Sequence, residues 1–388
     1  MLDNTKEILQ ILEALSFPRL ASSIHEDVAF DTIKKKISEQ KINFSSQQFT
    51  FTTFYSIILP KILFTLFFLL LFSIFFDNLI LSLIIIVFIT IFSIFIINPI
   101  KFRIGKKVRS QNLYVKYPKK GIENKVIEEF SNNKGDHSKN ILCIAHVDSK
   151  GQRFSIKIRI LSFKLWSYSF FIGLIIILIH NLLFFNLYIY IVEIILIGIN
   201  LIALFSIILN TTNNKSPGAL DNASGVACVL ELLKYYSNRE NRLNNYNLWF
   251  LLTGAEELGT MGIRHFYNNI MNFNKKKSYI INFDSIGKNV SYYSSSINNK
   301  KNKELYHKFL QIANNIKLKL KFSSSTFGVR SDGLYLKNQN FLGFGFGDPT
   351  SFEHIHSIND TVDKVDVSLL EKLCKFIINV LKELDDNY

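Results

Sequence analysis

The sequence predicts an α/β architecture: a mixed, mainly parallel sheet covered on both faces, interrupted by four transmembrane helices that arrive as two hairpins. Three observations carry this. Outside two apolar blocks, short strand patterns alternate with helical patterns, as crossover-connected parallel sheets require. Inside the blocks the chain stays apolar on every face for about 20 residues at a time, enough to cross a ~30 Å hydrocarbon core. Histidines and acids collect where strand patterns end, the edge at which open α/β sheets bind ligands.

In chain order, "MLDNTKEILQILEALSFPRL" is an amphipathic, charged helix pattern and lacks the uninterrupted apolar core of a secretory leader. Residues 1–53 are expected to form the first part of the folded domain. The first apolar block, 55–98, breaks once at Asp77 and Asn78, so 54–99 is expected to be a transmembrane hairpin. Residues 99–121 then hold eight Lys/Arg and no acid. Nucleic acid is one partner for such a run, but the positive-inside rule explains it more cheaply, because it adjoins a span. The hairpin turns, near Asp77–Asn78 and between Asn181 and Asn186, hold no Lys or Arg. That asymmetry puts the turns outside and the hydrophilic parts on the cytoplasmic side.

Residues 100–160 form the middle part of the domain and contain the strand "NILCIAHVDS". The second hairpin, 161–209, follows. Glu193 falls inside its last span, where a charge costs about 2.5–3.5 kcal/mol on insertion scales, so pairing with His180 is expected. Residues 210–388 complete the domain. They read helix "ASGVACVLELLKYYSN", strand "YNLWFLLTGAEE", helix "GTMGIRHFYNNIMNF", strand "KSYIINFDSIG", helix "NKELYHKFLQIANNI", strand "FLGFGFGD" and helix "VSLLEKLCKFIINVLKEL". Because each insertion spans twice, the chain returns to the side it left and the three hydrophilic pieces can meet in one domain.

Four strand ends and one loop carry the chemistry: "AHVDS" (His146, Asp148), "GALDNASG" (Asp221), "TGAEELG" (Glu256, Glu257), "NFDSIG" (Asp284) and "HSINDT" (His356, Asp360). Singly each is ambiguous, since an Asp after a strand is commonly a helix cap and a lone His is commonly packed. Together they form a set of imidazoles and carboxylates without a thiolate, which suits zinc or related divalent ions. Two ions about 3.5–4 Å apart need a shared anionic bridge, and a carboxylate is the natural group. Cys143, Cys228 and Cys374 have no ligand spacing and imply neither a disulfide framework nor a thiolate site. "EHIHS" is not H-E-x-x-H, and "GFGFGD" lies outside any span, which separates it from the intramembrane aspartyl proteases.

On these motifs the chain resembles the di-zinc aminopeptidase family of the zinc-dependent exopeptidases, which also contains glutamate carboxypeptidase-like proteins and glutaminyl cyclases. "LSFPRLASSIHEDVAFDTIKKKISEQKINFSSQQFTF" is similar to the family's opening helix and first strand. "RSDGLYLKNQNFLGFGFGD" resembles its late Ser-Asp segment and penultimate strand. The hairpins are then insertions, and the second separates "AHVDS" from "GALDNASG", normally joined by a short loop. The resemblance implies a three-layer α/β/α sandwich and two zinc ions, with cobalt or manganese as substitutes. It implies that Asp221 bridges both ions, that His146 and Asp284 complete one site, and that Glu257 and His356 complete the other. His356 is chosen over His354 because it directly precedes "SINDT". Glu256 is implied as the general base acting on the water held there, and Asp148 as the residue that fixes the orientation of His146. Ser331 and Asp332 are expected to support the site without binding metal.

The implied activity is peptide-bond hydrolysis, as an aminopeptidase acting on peptides with a free N-terminus, in a protein whose other partner is the lipid bilayer. The alternatives are a glutaminyl cyclase-like acyltransferase with one zinc, a non-catalytic receptor or scaffold that kept the fold, and a transporter with this domain as regulator.

Overall fold

Strand residues 139–146 explain the middle of the molecule. From Asn140 to His146 every residue is buried, as in a strand covered on both faces, and the run is apolar except at its ends. The computed structural model describes residues 4–97, 99–100, 104–121, 139–182, 186–294, 300–322 and 330–387. The chain divides into two units: residues 1–50, 109–151 and 214–388 form one, and 51–108 with 152–213 form the other.

The first unit is built on an eight-stranded sheet. Its strands are β1 (Ser45–Thr52), β2 (Lys107–Tyr117), β3 (Lys139–His146), β4 (Tyr246–Thr253), β5 (Tyr279–Phe283), β6 (Val290–Ser294), β7 (Leu320–Phe322) and β8 (Leu342–Gly347). They lie in the order β1-β2-β4-β3-β5-β8-β6-β7. The central four, β4-β3-β5-β8, are parallel neighbours. Antiparallel pairings at β2–β4 and β6–β8 make the sheet mixed, as expected. Register is set so that Ile144 faces Leu251 on one side and Asn282 on the other, which brings the carboxyl ends of all the central strands to one edge.

Side chains alternate across the strands, so successive residues feed opposite layers. Leu142, Ile144, Trp249, Leu251 and Ile280 pack with Ile263, Phe266 and Ile270 of the helix Met261–Ile270 and with Leu336 of the helix Asp332–Asn338. On the opposite face the helix Ser224–Ser237 is buried from Ser224 to Leu233, and it packs against β3, β4 and β5. The amphipathic helices Thr5–Leu15 and Val367–Asn387 cover it in turn. The helix Ile24–Glu39 begins where Ser23 accepts the Glu26 amide, and the Glu26 carboxylate reaches back to the Ser22 amide at 2.7 Å. All three cysteines are buried and free.

The second unit consists of four apolar helices, Leu59–Phe75, Leu79–Ile97, Ile156–Leu182 and Leu187–Leu209. Among the described residues, three stretches are long and apolar enough to cross a membrane: Phe54–Phe75, Ile156–Leu182 and Leu187–Leu209. Four were expected. The fourth, Leu79–Ile97, has 19 residues, a rise of about 28 Å at 1.5 Å per residue, and is apolar over Leu79–Phe95. The turn before it is set by Asp77 at φ 51°. The turn expected between Asn181 and Asn186 lies in part outside the described residues. Trp166, Phe170, Ile177, Ala203 and Leu204 form the inner seam with Leu71. Small polar side chains join the helices: the Asn200 amide donates to the Trp166 carbonyl at 2.8 Å and to Ser169 at 2.9 Å. His180 Nδ1 lies 2.9 and 3.0 Å from the two carboxylate oxygens of buried Glu193, so the expected pair is formed.

Candidate metal centre

The strand ends set the site. β3 terminates at His146, and the Val147 amide extends the ladder by donating to the Thr253 carbonyl at 2.8 Å. β4 terminates beside it at Thr253. The chain then passes through Gly254, where a Cβ would stand 2.2 Å from Ser110 Oγ and 2.6 Å from the Gln111 carbonyl, so only glycine fits. Ala255 follows at φ 52° and turns the backbone. The Asp148 carboxylate accepts the amides of Glu256 at 3.0 Å and Glu257 at 3.1 Å, which fixes the two glutamates on this turn. β5 ends just before Asp284, whose amide donates to the Phe346 carbonyl at 2.9 Å.

The loop carrying Asp221 (Ala219–Ala223) is braced from both sides. The Leu220 amide donates to Asp360 Oδ1 at 2.6 Å, and the Ala219 amide to the Asp360 carbonyl at 3.2 Å. Asn222 Nδ2 donates to the Phe283 carbonyl at 2.8 Å, while its Oδ1 accepts the amides of Gly225 at 3.0 Å and Ser285 at 3.2 Å. One side chain thus ties the Asp221 loop to the Asp284 loop. His356 sits at φ 60°, a left-handed conformation uncommon for a side chain of this size.

Five expected ligands meet in two groups that share Asp221. In the first, His146 Nε2 lies 3.1 Å from Asp221 Oδ1 and 3.8 Å from Asp284 Oδ1. In the second, His356 Nε2 lies 3.2 Å from Asp221 Oδ2 and 2.9 Å from Glu257 Oε1. Within each group the donor atoms fall inside 4.8 Å of one another. His146 Nδ1 lies 3.0 Å from the Asp148 carbonyl, which can only accept, so Nδ1 carries the proton and Nε2 keeps its lone pair for the group. The carboxylate of Asp148 is farther from that nitrogen, at 3.6 Å. Asp148 therefore holds the histidine through its main chain and the glutamates through its side chain.

Electrostatics follow from burial among like charges. Burial pushes the Glu256 carboxyl well above its ordinary range; His146 opposes this, and the carboxylates of Glu257, Asp332 and Asp284 add to it. Burial also acts to raise Asp221, but the adjacent His146 and His356 imidazoles outweigh it and hold that carboxyl well below its usual value. Glu257 falls to about 2, because His356 and Lys150 overcome its burial. Burial drives Asp332 up to about 7, and its Oδ2 accepts from Thr253 Oγ1 at 2.5 Å.

The donor set fits divalent ions. It offers two imidazole nitrogens and carboxylate oxygens from three acids, the ligand types that zinc and its neighbours take. At metal–ligand lengths of about 2.0–2.2 Å, tetrahedral ligands stand roughly 3.3–3.6 Å apart, which falls within the 2.9–3.8 Å spread of the spacings above. Glu257 Oε1 is buried and makes no hydrogen bond, although it is 2.9 Å from His356 Nε2. The two atoms point past one another, as ligands of a common centre do.

Among the other expected residues, Glu256 is buried, adjoins Glu257 in the chain and belongs to neither group, and His354 belongs to neither. Ser331 caps the helix Asp332–Asn338 by accepting the Leu334 amide at 3.2 Å, and Asp332 braces Thr253 at the end of β4. The sequence reading did not single out Arg19, Asn222 or Lys150. Arg19 is fully buried and donates to the carbonyls of Val147 at 2.6 Å, Pro217 at 2.6 Å and Gly218 at 2.8 Å, clasping the two loops that bear His146 and Asp221. Its signal was a charged residue inside "FPRLAS". Asn222 was visible beside Asp221 but read only as part of a turn.

Residues 203–381 match the model of peptidase family M28. That segment contains Asp221, Glu256, Glu257, Asp284 and His356, whereas His146 and Asp148 lie upstream of it. No curated protein is significantly similar in sequence. Solved structures are similar over nearly the whole chain. An aminopeptidase from Aneurinibacillus sp. strain AM-1 matches with a TM-score of 0.56 at 14% identity, covering 98% of this chain and 93% of its own. A zinc aminopeptidase from Bacillus subtilis matches with a TM-score of 0.55 at 13% identity, covering 98% and 95%. A glutaminyl cyclase from Porphyromonas gingivalis matches with a TM-score of 0.53 at 13% identity, covering 98% of both chains. At these identities the likeness establishes the fold.

Proposed function

We propose that this chain is a membrane-anchored metallopeptidase that removes N-terminal residues from peptides, with two divalent ions, zinc in the first instance, held by His146, Asp221, Asp284, Glu257 and His356. The observation that carries the reading is the sharing of Asp221 between two donor groups, with the buried Glu256 next in the chain to the ligand Glu257. The M28 match over 203–381 and the aminopeptidase neighbours support it.

Bound there, the ions would lower the pKa of a water toward about 7 and polarise the scissile carbonyl. The remaining work belongs to the chain. Glu256 takes a proton from the attacking water and delivers it to the leaving amine. Asp148 keeps Glu256 and Glu257 on a fixed turn, so one carboxylate is a ligand and the other stays free for proton transfer. The apolar helices anchor the protein in a bilayer. The basic run 99–121 favours the cytoplasmic side for the hydrophilic unit.

The glutaminyl cyclase neighbours favour a second reading, in which the N-terminal amine of a peptide closes on its own glutamine side chain and ammonia leaves. Hydrolysis of free and N-blocked dipeptides and cyclisation of Gln-initial peptides by the detergent-purified chain separates the two. The proposal expects chelator-sensitive cleavage of free substrates only, lost in Glu256→Gln. Pyroglutamate formation without hydrolysis would replace it with the cyclase.

A further inference from the structure

Among the described residues, an acid of the second donor group pairs with a lysine and the acids of the first group do not. Lys150 Nζ lies 2.6 Å from Glu257 Oε2 and donates to the Glu257 carbonyl at 3.2 Å, with only 12% of the lysine side chain exposed. The carboxylate of Glu257 is therefore divided: Oε2 faces an ammonium, and Oε1 faces His356. Asp284 and Asp221, among the described residues, form ion pairs with imidazoles only. The first group thus presents the negative charge of Asp284 unbalanced, while the second has its corresponding acid matched by a permanent cation one carboxylate away.

We propose that Lys150 is a positioning residue that makes the two metal sites unequal, weakening the Asp221–Glu257–His356 site for its ion and restricting Glu257 to a single ligating oxygen. The inference rests on the two-metal reading above. Two effects act in the same direction. An ammonium repels a dication through a poorly screening, buried path. Engagement of Oε2 also removes an oxygen that would otherwise bind. Both anchors of the ammonium lie on Glu257 itself, side chain and main chain, so the pair moves as one with the ligand. The protein would then hold one ion tightly and exchange the other, and its second site would fill only at higher free metal.

The test is zinc titration of the metal-stripped, detergent-purified full chain against a chromogenic chelator, with bound zinc per chain measured independently. Wild type, Lys150→Met and Lys150→Arg are compared. Two unequal sites are expected in wild type. In Lys150→Met the weaker dissociation constant falls by about tenfold or more, the change expected when one nearby charge is removed, and the tighter one stays within about twofold. Lys150→Arg, which keeps the charge, retains the wild-type inequality and shows that the effect is not a packing defect. Equal sites in wild type, a weaker site unchanged in Lys150→Met, or loss of both sites together would overturn the assignment while leaving the metal centre in place. Binding of no zinc by wild type would overturn the two-metal reading itself, and this inference with it.

Discussion

The two units bury polar groups by opposite rules. In the sheet-based unit, buried acids just past a strand end or in a loop are held by main-chain amides: Asp148 by those of Glu256 and Glu257, Asp360 by those of Leu220 and Asp221. In the helical unit the backbone is already spent inside the helices, so buried polar side chains pair with one another or with stray carbonyls. Examples are His180 with Glu193, Ser162 with Ser206 at 2.7 Å, and Asn200 with Ser169. The first arrangement leaves carboxylate oxygens free to face a common point. The second uses up its polar atoms in holding helices together. This is why chemistry is assigned to one unit and anchoring to the other, although both are rich in apolar residues.

The largest effect expected is at Glu256. Glu256→Gln keeps size and burial but cannot accept a proton, so turnover should fall by about 10²–10⁴-fold with zinc content unchanged. A variant that kept near-normal turnover would remove the general base from the account. At Asp221, replacement by Asn should cost both ions, because both groups use that carboxylate; zinc analysis showing loss of one ion only would break the shared-ligand arrangement.

In the helical unit, Glu193→Leu should destabilise by about 3 kcal/mol, since it strands a buried partner, and should leave kcat untouched. The double replacement of His180 and Glu193 by Leu should recover most of that stability, as read from thermal unfolding in detergent. A single replacement that abolished activity with stability intact would instead give the pair a functional role. Asp360→Asn removes the charge behind the Asp221 loop and should weaken it by about 1–3 kcal/mol, seen as weaker zinc binding rather than as unfolding. The smallest effect is at Asn200→Ala in the helical seam, about 0.6 kcal/mol by analogy with interhelical hydrogen bonds in membranes.

Much of this was legible in the sequence because its signals are local. The strands β3, β4, β5 and β8 are short apolar runs ending in polar residues, and the helices between them are amphipathic or capped. His146, Glu256, Glu257 and Asp284 stand at or just past strand ends, where a parallel sheet collects them, whereas Asp221, expected at a strand end, comes from the loop Ala219–Ala223 and His356 from another loop. β2 escaped notice because "KVRSQNLYVKY" alternates charged and polar residues at its start, and its buried Ser110, Gln111 and Asn112 do not read as core. Two of these are satisfied by distant groups: Ser110 donates to Glu26 at 2.7 Å, and Asn112 to the Gly262 carbonyl at 2.9 Å. Arg19 and Lys150 were missed for the same reason. Their partners lie roughly a hundred or more positions away in the chain, and no periodicity announces such a pairing.

The central claim is that Asp221 holds an ion on each of its carboxylate oxygens. Anomalous scattering at the zinc edge, from crystals of the full chain grown with excess zinc, tests it most directly. The account predicts two peaks, one among His146, Asp221 and Asp284 and the other among Asp221, Glu257 and His356. Zinc bound elsewhere, or a single peak that does not touch Asp221, would contradict it.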